Sequence, residues 1–177
     1  MAKAIEEPAY DRLQTIGSVE IRLYEPQIQA VTLLPGKAST SAGFGRLAGF
    51  IFGGNDQSMD IAMTAPVQET LGVNRPEMAF TLPSQYELAE IPQPKDSRVT
   101  LRSVVAKQMA VIEFSGWATS SRVKRFEQEL RDTLAEQGIE TIGEAVLSQY
   151  NPPWTVPFLR RNEVSLPISL GTIASAK

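Results

Sequence analysis

Two kinds of hydrophobic periodicity alternate along this chain, and they follow the same order twice. Segments in which apolar and polar residues alternate indicate half-buried strands, whereas apolar residues spaced three and four positions apart indicate amphipathic helices. On these patterns each half of the chain runs strand, strand, helix, strand, strand, with the halves at about residues 8–90 and 97–168. This order favours an α+β domain in which about eight strands curl into an open or distorted barrel, with two helices against the outside.

Proline, glycine and serine set the boundaries of these segments. We predict strands at 10–16, 19–34, 59–67, 77–82, 98–105, 107–115, 144–150 and 162–168, and helices at 42–52 and 122–137. Glu25-Pro26 interrupts the second strand, so a bulge or an edge position is expected there. Gly53-Gly54 and Gly138 are suited to the left-handed position that ends a helix. One domain over residues 1–177 is predicted, with a tail at 170–177 that frays.

The chain contains no histidine and no cysteine. This excludes a disulfide framework, thiolate zinc sites and iron–sulfur clusters. It also excludes catalysis by Ser-His-Asp or Cys-His groups, and a haem held by an axial histidine or cysteine. Any metal or cofactor must therefore be bound by other side chains, and folding is expected to need none.

The charge and hydropathy of the chain restrict its partners. The net charge is −3 and the isoelectric point is about 5.1, and no basic stripe of the kind that binds nucleic acid is present. The longest weakly polar run, 42–54, is too short to span a bilayer, and the N-terminus has no apolar segment typical of an export signal. We expect no nucleic-acid partner, no membrane insertion and a cytoplasmic location, and the oligomeric state stays open.

Several stretches, in their order along the chain, resemble the SOUL haem-binding protein family. They are Glu7-Pro8-Ala9-Tyr10, Val19–Tyr24, Leu47–Asn55, Ile61–Val67, Tyr150–Trp154 and Arg160–Val164. The resemblance implies two βαββ repeats that form a distorted eight-stranded barrel flanked by two helices. It also implies that haem or another tetrapyrrole binds in a shallow apolar groove beside the first helix. Since histidine is absent, the ring would be held by apolar contacts, with basic side chains on the propionates.

The first helix supplies one group of candidate ligand-binding residues. Its predicted buried face consists of Phe44, Leu47, Ala48 and Ile51. On the other side, Gly43 and Gly49 leave room for a flat ligand, Phe50 is placed to stack on it, and Arg46 is placed to pair with a carboxylate. The alternative is a helix whose small residues allow tight packing on the sheet, with Arg46 in solvent. Leu47 is also included among the candidate ligand contacts.

Two methionines and one tyrosine are candidates for contact with a porphyrin or its iron. The thioether of Met63 would pack against a ring face or ligate iron weakly, and Met59 would also reach the groove. The phenol of Tyr150 would serve as an oxygen ligand. The alternatives are a core methionine at Met63, a gap-filling surface methionine at Met59, and a core or rim tyrosine.

The C-terminal motifs supply the last two candidates. Trp154 lies beside a proline-rich turn, where it would line the mouth of a pocket or seal one end of the barrel. Arg160 would hold a propionate. The alternative for Arg160-Arg161 is a buried Arg–Glu pair with Glu20 or Glu163.

The resemblance to the SOUL family implies a protein that binds or carries a tetrapyrrole, and the residues show no convergent set that would favour an enzyme. No pair of acids is placed across a cleft as a glycosidase or protease requires. Three alternatives stay open: a binder of another amphipathic small molecule, a tetrapyrrole-modifying enzyme that works without histidine or cysteine, and an adaptor between proteins.

Overall fold

The structure is a computed structural model that describes residues 4–35, 40–72 and 74–169. Within these ranges it has nine strands and two α-helices. In chain order they are β1 (Tyr10–Ile16), β2 (Val19–Tyr24), β3 (Gln27–Leu33), α1 (Thr40–Ile51), β4 (Val67–Thr70), β5 (Glu77–Thr81), β6 (Val99–Val104), β7 (Lys107–Phe114), α2 (Ser120–Glu136), β8 (Val146–Gln149) and β9 (Asn162–Pro167). The tail at 170–177, which we predict to fray, lies outside the described residues.

The chain divides into two compact units. The first is Met1–Pro8 with Pro26–Val105, and the second is Ala9–Glu25 with Ala106–Lys177. The hairpin of β1 and β2 therefore belongs to the second unit, although it lies in the first half of the sequence. The predicted halves differ from these units in that respect, because hydrophobic periodicity does not show which strands pair.

In the first unit, four antiparallel strands pair in the order β4-β5-β3-β6. Strand β3 is central, since Ala30 lies opposite Phe80 of β5 on one side and Leu101 of β6 on the other. Helix α1 contacts β3, β5 and β6. The helix and the strands share one apolar core, whose buried members include Leu47, Phe50, Ile51, Ile61, Met78 and Phe80.

In the second unit, five antiparallel strands pair in the order β1-β2-β7-β9-β8, and α2 contacts β7 and β9. The side chain of Thr119 caps α2 by accepting a hydrogen bond from the backbone N–H of Arg122. Gly138 follows the helix with a φ of 66°, so its predicted role as a stop is confirmed. On α2, Leu130 and Leu134 are buried, while the half-buried Phe126 stacks on the ring of Phe114.

One segment of each unit has the order strand, helix, strand, strand. The segment β3-α1-β4-β5 has the strand order β4-β5-β3, and the segment β7-α2-β8-β9 has the strand order β8-β9-β7. In each case one more strand, β6 or β2, pairs with the outer side of the first strand of the segment. The α+β class and the two helices are therefore as predicted.

The predicted number of eight strands is not what the described residues show, because the segment 19–34 forms two strands. Pro26 has no N–H to donate and its φ is fixed, so the ladder cannot run through it. Strand β2 ends at Tyr24 and pairs with β1 and β7, whereas β3 begins at Gln27 and pairs with β5 and β6. The break at Glu25-Pro26, where we expect a bulge or an edge position, is instead the passage from one unit to the other.

The predicted strand at 59–67 is wrong. Residues 59–66 belong to no named strand, and β4 begins directly after Pro66. Since a proline cannot donate to a ladder, it precedes this strand instead of ending it. The segment is anchored to the helix, because the N–H of Ile61 donates to the carbonyl of Ile51 at 2.7 Å.

Helix α1 buries Leu47 and Ile51 as predicted, but its buried face is rotated away from Phe44 and towards Phe50. Its buried residues are Gly43, Leu47, Phe50 and Ile51. Phe44 is 39 % exposed and meets Phe80 edge-on, with the ring centroids 5.4 Å apart. Phe50, predicted on the opposite side, is 1 % exposed and lies in the core. Gly43 allows this close packing, because a Cβ there would collide with the side chain of Leu34.

Candidate functional site

A groove runs along the face of α1 that carries Gly45 and Gly49. Its volume is about 500 Å³. The helix contributes Ala42, Gly45, Arg46, Gly49 and Phe50 to its lining, and the loops after α1 and before β6 contribute Gly54, Lys95, Asp96 and Arg98. A Cβ built on Gly45 or Gly49 would meet nothing within 4 Å. The helix backbone is therefore bare at two positions one turn apart, and we call this cavity the glycine groove.

The loop that follows α1 forms the second wall of the glycine groove. Gly53 adopts a φ of 94°, as predicted for the end of the helix. The N–H of Gly54 donates to the carbonyl of Gly49 at 2.8 Å, and a Cβ on Gly54 would clash with that oxygen. The carbonyl of Gly54 in turn accepts from the N–H of Lys95 at 3.0 Å. These bonds hold the segment that carries Lys95 against the end of the helix.

Asn55 fixes the shape of this loop. Its side chain is fully buried. The amide NH₂ donates to the carbonyls of Phe50 and Met59 at 3.1 and 2.7 Å, and the amide oxygen accepts from the N–H groups of Gln57 and Met59 at 3.3 and 3.0 Å. Sequence reasoning missed this residue, although asparagine directly after Gly-Gly is a common turn signal.

Positive charge is concentrated at the glycine groove. The guanidinium of Arg98 donates twice to the carboxylate of Asp96, at 2.9 and 2.8 Å, and these hydrogen bonds lower the pKa of Asp96 to about 2. Arg46 donates to the hydroxyl of Thr32 at 3.5 Å and to the carbonyl of Leu33 at 3.3 Å. Among the described residues, no carboxylate lies within ion-pair distance of Arg46 or Lys95. These two cations are available to an anionic ligand.

The structure places the other first-unit candidates around the core. Leu47 is fully buried, and Phe50 contributes to the groove wall although it is almost inaccessible. Met59 packs partly buried against the same core. Met63 is 39 % exposed. Neither methionine is among the described residues that line the glycine groove.

The remaining three candidates belong to the second unit. Trp154 is 84 % exposed. The guanidinium of Arg160 donates to the backbone carbonyls of Thr155 and Pro153 and lies 4.2 Å from the ring centroid of Trp117. Arg160 therefore holds the proline-rich turn in place.

Tyr150 is committed to a buried network. Its hydroxyl donates to the carboxylate of Glu163 at 2.7 Å, and the guanidinium of Arg161 lies 3.5 Å from its ring centroid. Burial and the neighbouring Glu163 carboxylate raise the pKa of Tyr150 well above its ordinary value. The phenol is thus a protonated donor and not an available oxygen ligand.

The buried Arg–Glu pair that the sequence left open exists, but Arg22 makes it. Its guanidinium donates to Glu163 at 2.9 Å, to Glu20 at 2.7 Å and to the hydroxyl of Tyr24 at 3.0 Å. Burial by itself would lower the pKa of Arg22. The Glu163 charge and these hydrogen bonds raise the pKa by more than burial lowers it, so the net shift is upward. An arginine in the middle of an alternating strand gave no sequence indication of this role.

Comparison with known proteins agrees with this fold. A model of the SOUL heme-binding protein family matches residues 5–167. This chain belongs to that family. Within it, the chain is similar to Heme-binding protein 2 of Mus musculus, with 27 % identity in an alignment of 181 residues. The alignment covers 93 % of this chain and 86 % of the mouse protein.

Two solved structures share the fold at low identity. The C-terminal domain of EcmrR aligns with a TM-score of 0.66 and 10 % identity, covering 90 % of this chain and 98 % of that one. A hydrolase from Listeria innocua aligns with a TM-score of 0.59 and 12 % identity, covering 86 % and 92 %. At these identities the SOUL-family chain shares the architecture of both, and the likeness extends to the fold alone.

The described part of the chain lacks two features that would indicate other functions. No helix there is long and apolar enough to cross a membrane. No three acidic, histidine or cysteine side chains there are grouped closely enough to hold a metal ion.

Proposed function

We propose that this protein binds haem or a related tetrapyrrole in the glycine groove, without chemically changing it and without a histidine ligand. The observation that carries the proposal is the bare backbone at Gly45 and Gly49, which opens a groove of about 500 Å³ beside α1. Pockets for small organic ligands usually have about 300–1,000 Å³. The membership of the SOUL family supports a tetrapyrrole as the occupant.

A flat ring suits this helix face for steric reasons. At Gly45 and Gly49 no side chain separates a ligand from the backbone, so a planar molecule would lie directly on one turn of helix. Covering about 200–300 Å² of apolar ring would contribute about 5–8 kcal/mol before the costs of association are subtracted. This gross energy corresponds to micromolar affinity at most, so ion pairs with the acidic groups of the ligand must add to the ring contacts.

The acidic groups of the ligand would be held by the free cations of the groove. Neither Arg46 nor Lys95 lies within ion-pair distance of a carboxylate in the described part of the chain, although the charge of Arg46 helps to lower the pKa of Asp96. Guanidinium groups bind carboxylates bidentately. We propose that the propionates of a tetrapyrrole pair with these two residues, while Arg98 stays bound to Asp96.

The described groove lining offers none of the usual axial ligands of haem iron. The sequence has no histidine or cysteine, and the lining contains no methionine or tyrosine. When haem is bound, its iron would supply ligand and redox chemistry of its own, and the protein would contribute ring contacts and charge pairing only.

Filling the groove tests the proposal. In Gly49→Leu the new side chain enters open space, so the fold is kept and the ring is displaced. We expect haem titration at about 10 µM protein to give a saturable Soret shift with the native chain, and an affinity at least about tenfold weaker with Gly49→Leu. Lys124→Leu, which adds the same side chain at an exposed position of α2, is the matched control. A titration without a saturable shift, or equal affinity in both variants, would refute the assignment of haem to this groove.

A second candidate is another flat amphipathic acid in the same groove. The lack of an axial ligand in the lining favours it, because nothing there requires a metal. The absorbance spectrum of freshly purified protein, with mass spectrometry under non-denaturing conditions, distinguishes the two. A co-purified colourless molecule that Gly49→Leu fails to retain would decide for this alternative.

A further inference from the structure

The charges of the first unit are not spread evenly over its surface. Its described residues include five cations, and all of them line one of two adjoining grooves: Arg46, Arg75, Lys95, Arg98 and Arg102. The same residues include nine carboxylates, of which only Glu77 and Asp96 line these grooves. A unit with an acidic excess thus gathers its positive charge at one place, which is typical of a site that attracts anions.

The second groove has a volume of about 520 Å³ and lies on strands β3, β5 and β6. We call it the arginine groove, because Arg46, Arg75, Arg98 and Arg102 all line it. Val31, Leu33 and Pro35 give it an apolar part, and Ser97 and Thr100 supply hydroxyl groups. It shares Arg46 and Arg98 with the glycine groove.

Ion pairing within the protein leaves two of these four guanidinium groups without a carboxylate. Arg98 is bound to Asp96. Arg102 is bound to Glu77 at 2.7 Å. Among the described residues, no acidic side chain lies within ion-pair distance of Arg46 or Arg75. The groove therefore carries a surplus of two positive charges.

We propose that the arginine groove is a second site, which binds a small organic dianion with its charge at Arg46 and Arg75. The surplus of two charges sets the charge of the ligand, and the apolar part of the lining favours an organic body on it. Guanidinium groups prefer flat or tetrahedral oxyanions that accept two hydrogen bonds at once, so the chemistry is that of a phosphate monoester or a dicarboxylate. This site goes beyond the tetrapyrrole site and does not depend on it.

Three single substitutions separate the two grooves. Arg75 lines only the arginine groove, Lys95 only the glycine groove, and Arg46 both. Arg75→Gln, Lys95→Gln and Arg46→Gln each remove one positive charge, so they are matched to one another. None of the three replaced side chains takes part in an ion pair within the described chain, and thermal unfolding would verify that all three variants fold.

The experiment is isothermal titration of the full chain with phenyl phosphate and, separately, with phthalate. We expect saturable binding of at least one probe, weakened roughly tenfold to a hundredfold by Arg75→Gln and by Arg46→Gln but unchanged by Lys95→Gln. The probe that binds more tightly identifies the phosphate or the carboxylate as the preferred group. If neither probe binds, or if Arg75→Gln binds as well as the native chain, the proposal is overturned.

Because the two grooves share Arg46, their ligands should oppose each other. This step rests on the proposed tetrapyrrole function. Saturating phenyl phosphate or phthalate, whichever binds, should weaken porphyrin binding to the native chain by about threefold or more, and Arg46→Gln should abolish that effect. A chain that binds the dianion but no porphyrin would refute the tetrapyrrole site alone, whereas a chain that binds porphyrin but no dianion would refute the arginine groove alone.

Discussion

Single side chains in the second unit show how a buried charge is tolerated. Arg22 is almost inaccessible, and its guanidinium donates to oxygens of Glu20, Tyr24 and Glu163. Breaking one side of a buried pair commonly costs about 3–5 kcal/mol, since the remaining charge has no partner. Glu163 also accepts from Tyr150. The network therefore links β2, β9 and the residue after β8 through groups that must keep their protonation states.

The phenols of this network predict instability at alkaline pH. Burial first, and then the Glu163 charge, raise the pKa of Tyr24 to about 12 from an ordinary 10.0, and Tyr150 shifts in the same direction. Above pH 10 the unfolded chain loses phenolic protons that the folded chain retains, so the free energy of unfolding falls as pH rises towards 12. Below pH 10 the folded and unfolded states both keep these protons, so the two tyrosines do not make the free energy of unfolding depend on pH.

Urea unfolding measured at intervals from neutral to strongly alkaline pH checks this expectation. The native chain should lose stability steeply once the pH exceeds 10, and Tyr24→Phe should show a shallower loss over the same window. The comparison concerns the slope with pH, because Tyr24→Phe also removes an acceptor from Arg22 and lowers stability at every pH. Parallel slopes in the two proteins would contradict the assignment.

At the scale of elements, α1 shows both the reach and the limit of sequence reasoning. Its existence, its end at Gly53 and its small-residue face follow from spacing and from glycine chemistry. Which face is buried does not follow, since Phe44 and Phe50 are equally apolar and lie on opposite sides. The deciding contact is Gly43 against Leu34, and that contact depends on how β3 continues into its loop.

The glycines of α1 should respond oppositely to the same substitution. A Cβ on Gly49 meets open space, so Gly49→Ala should stabilise the chain by about 0.5–1 kcal/mol through helix propensity alone. A Cβ on Gly43 meets the Leu34 side chain, so Gly43→Ala should destabilise it by about 1–3 kcal/mol through overpacking. Chemical denaturation of both variants checks the two signs. A stabilised Gly43→Ala or a destabilised Gly49→Ala would show that the packing of α1 differs from this description.

At the scale of the whole molecule, local patterns predict the order of helices and strands along the chain. They do not predict which strands belong to which compact unit. The family, the helices and most strands follow from the sequence, because the motifs and periodicities that indicate them extend over only a few neighbouring residues. The division at Pro26 and the irregular segment 59–66 depend on pairing between distant strands. The grouping of charges at the candidate sites also depends on distant parts of the chain, since the fold brings Arg46, Lys95 and Arg98 to one groove.

The composition of the entire chain predicts how strongly this SOUL protein binds haem, metal-free protoporphyrin and its dimethyl ester relative to one another. With no histidine or cysteine anywhere in the sequence, and no methionine or tyrosine in the described lining of the glycine groove, ring contacts and ion pairs must supply the affinity. Metal-free protoporphyrin should then bind within about threefold of haem, whereas the dimethyl ester, which lacks both charges, should bind at least about tenfold more weakly. Because the cations are close to solvent, raising the salt concentration should weaken the binding of the free acid and leave the binding of the ester nearly unchanged. Fluorescence titration with the two porphyrins, beside a haem titration, measures all three effects. Binding of haem at least a hundredfold tighter than the metal-free ring would mean that a protein side chain ligates the iron, and the ring would then have to lie elsewhere than in the glycine groove.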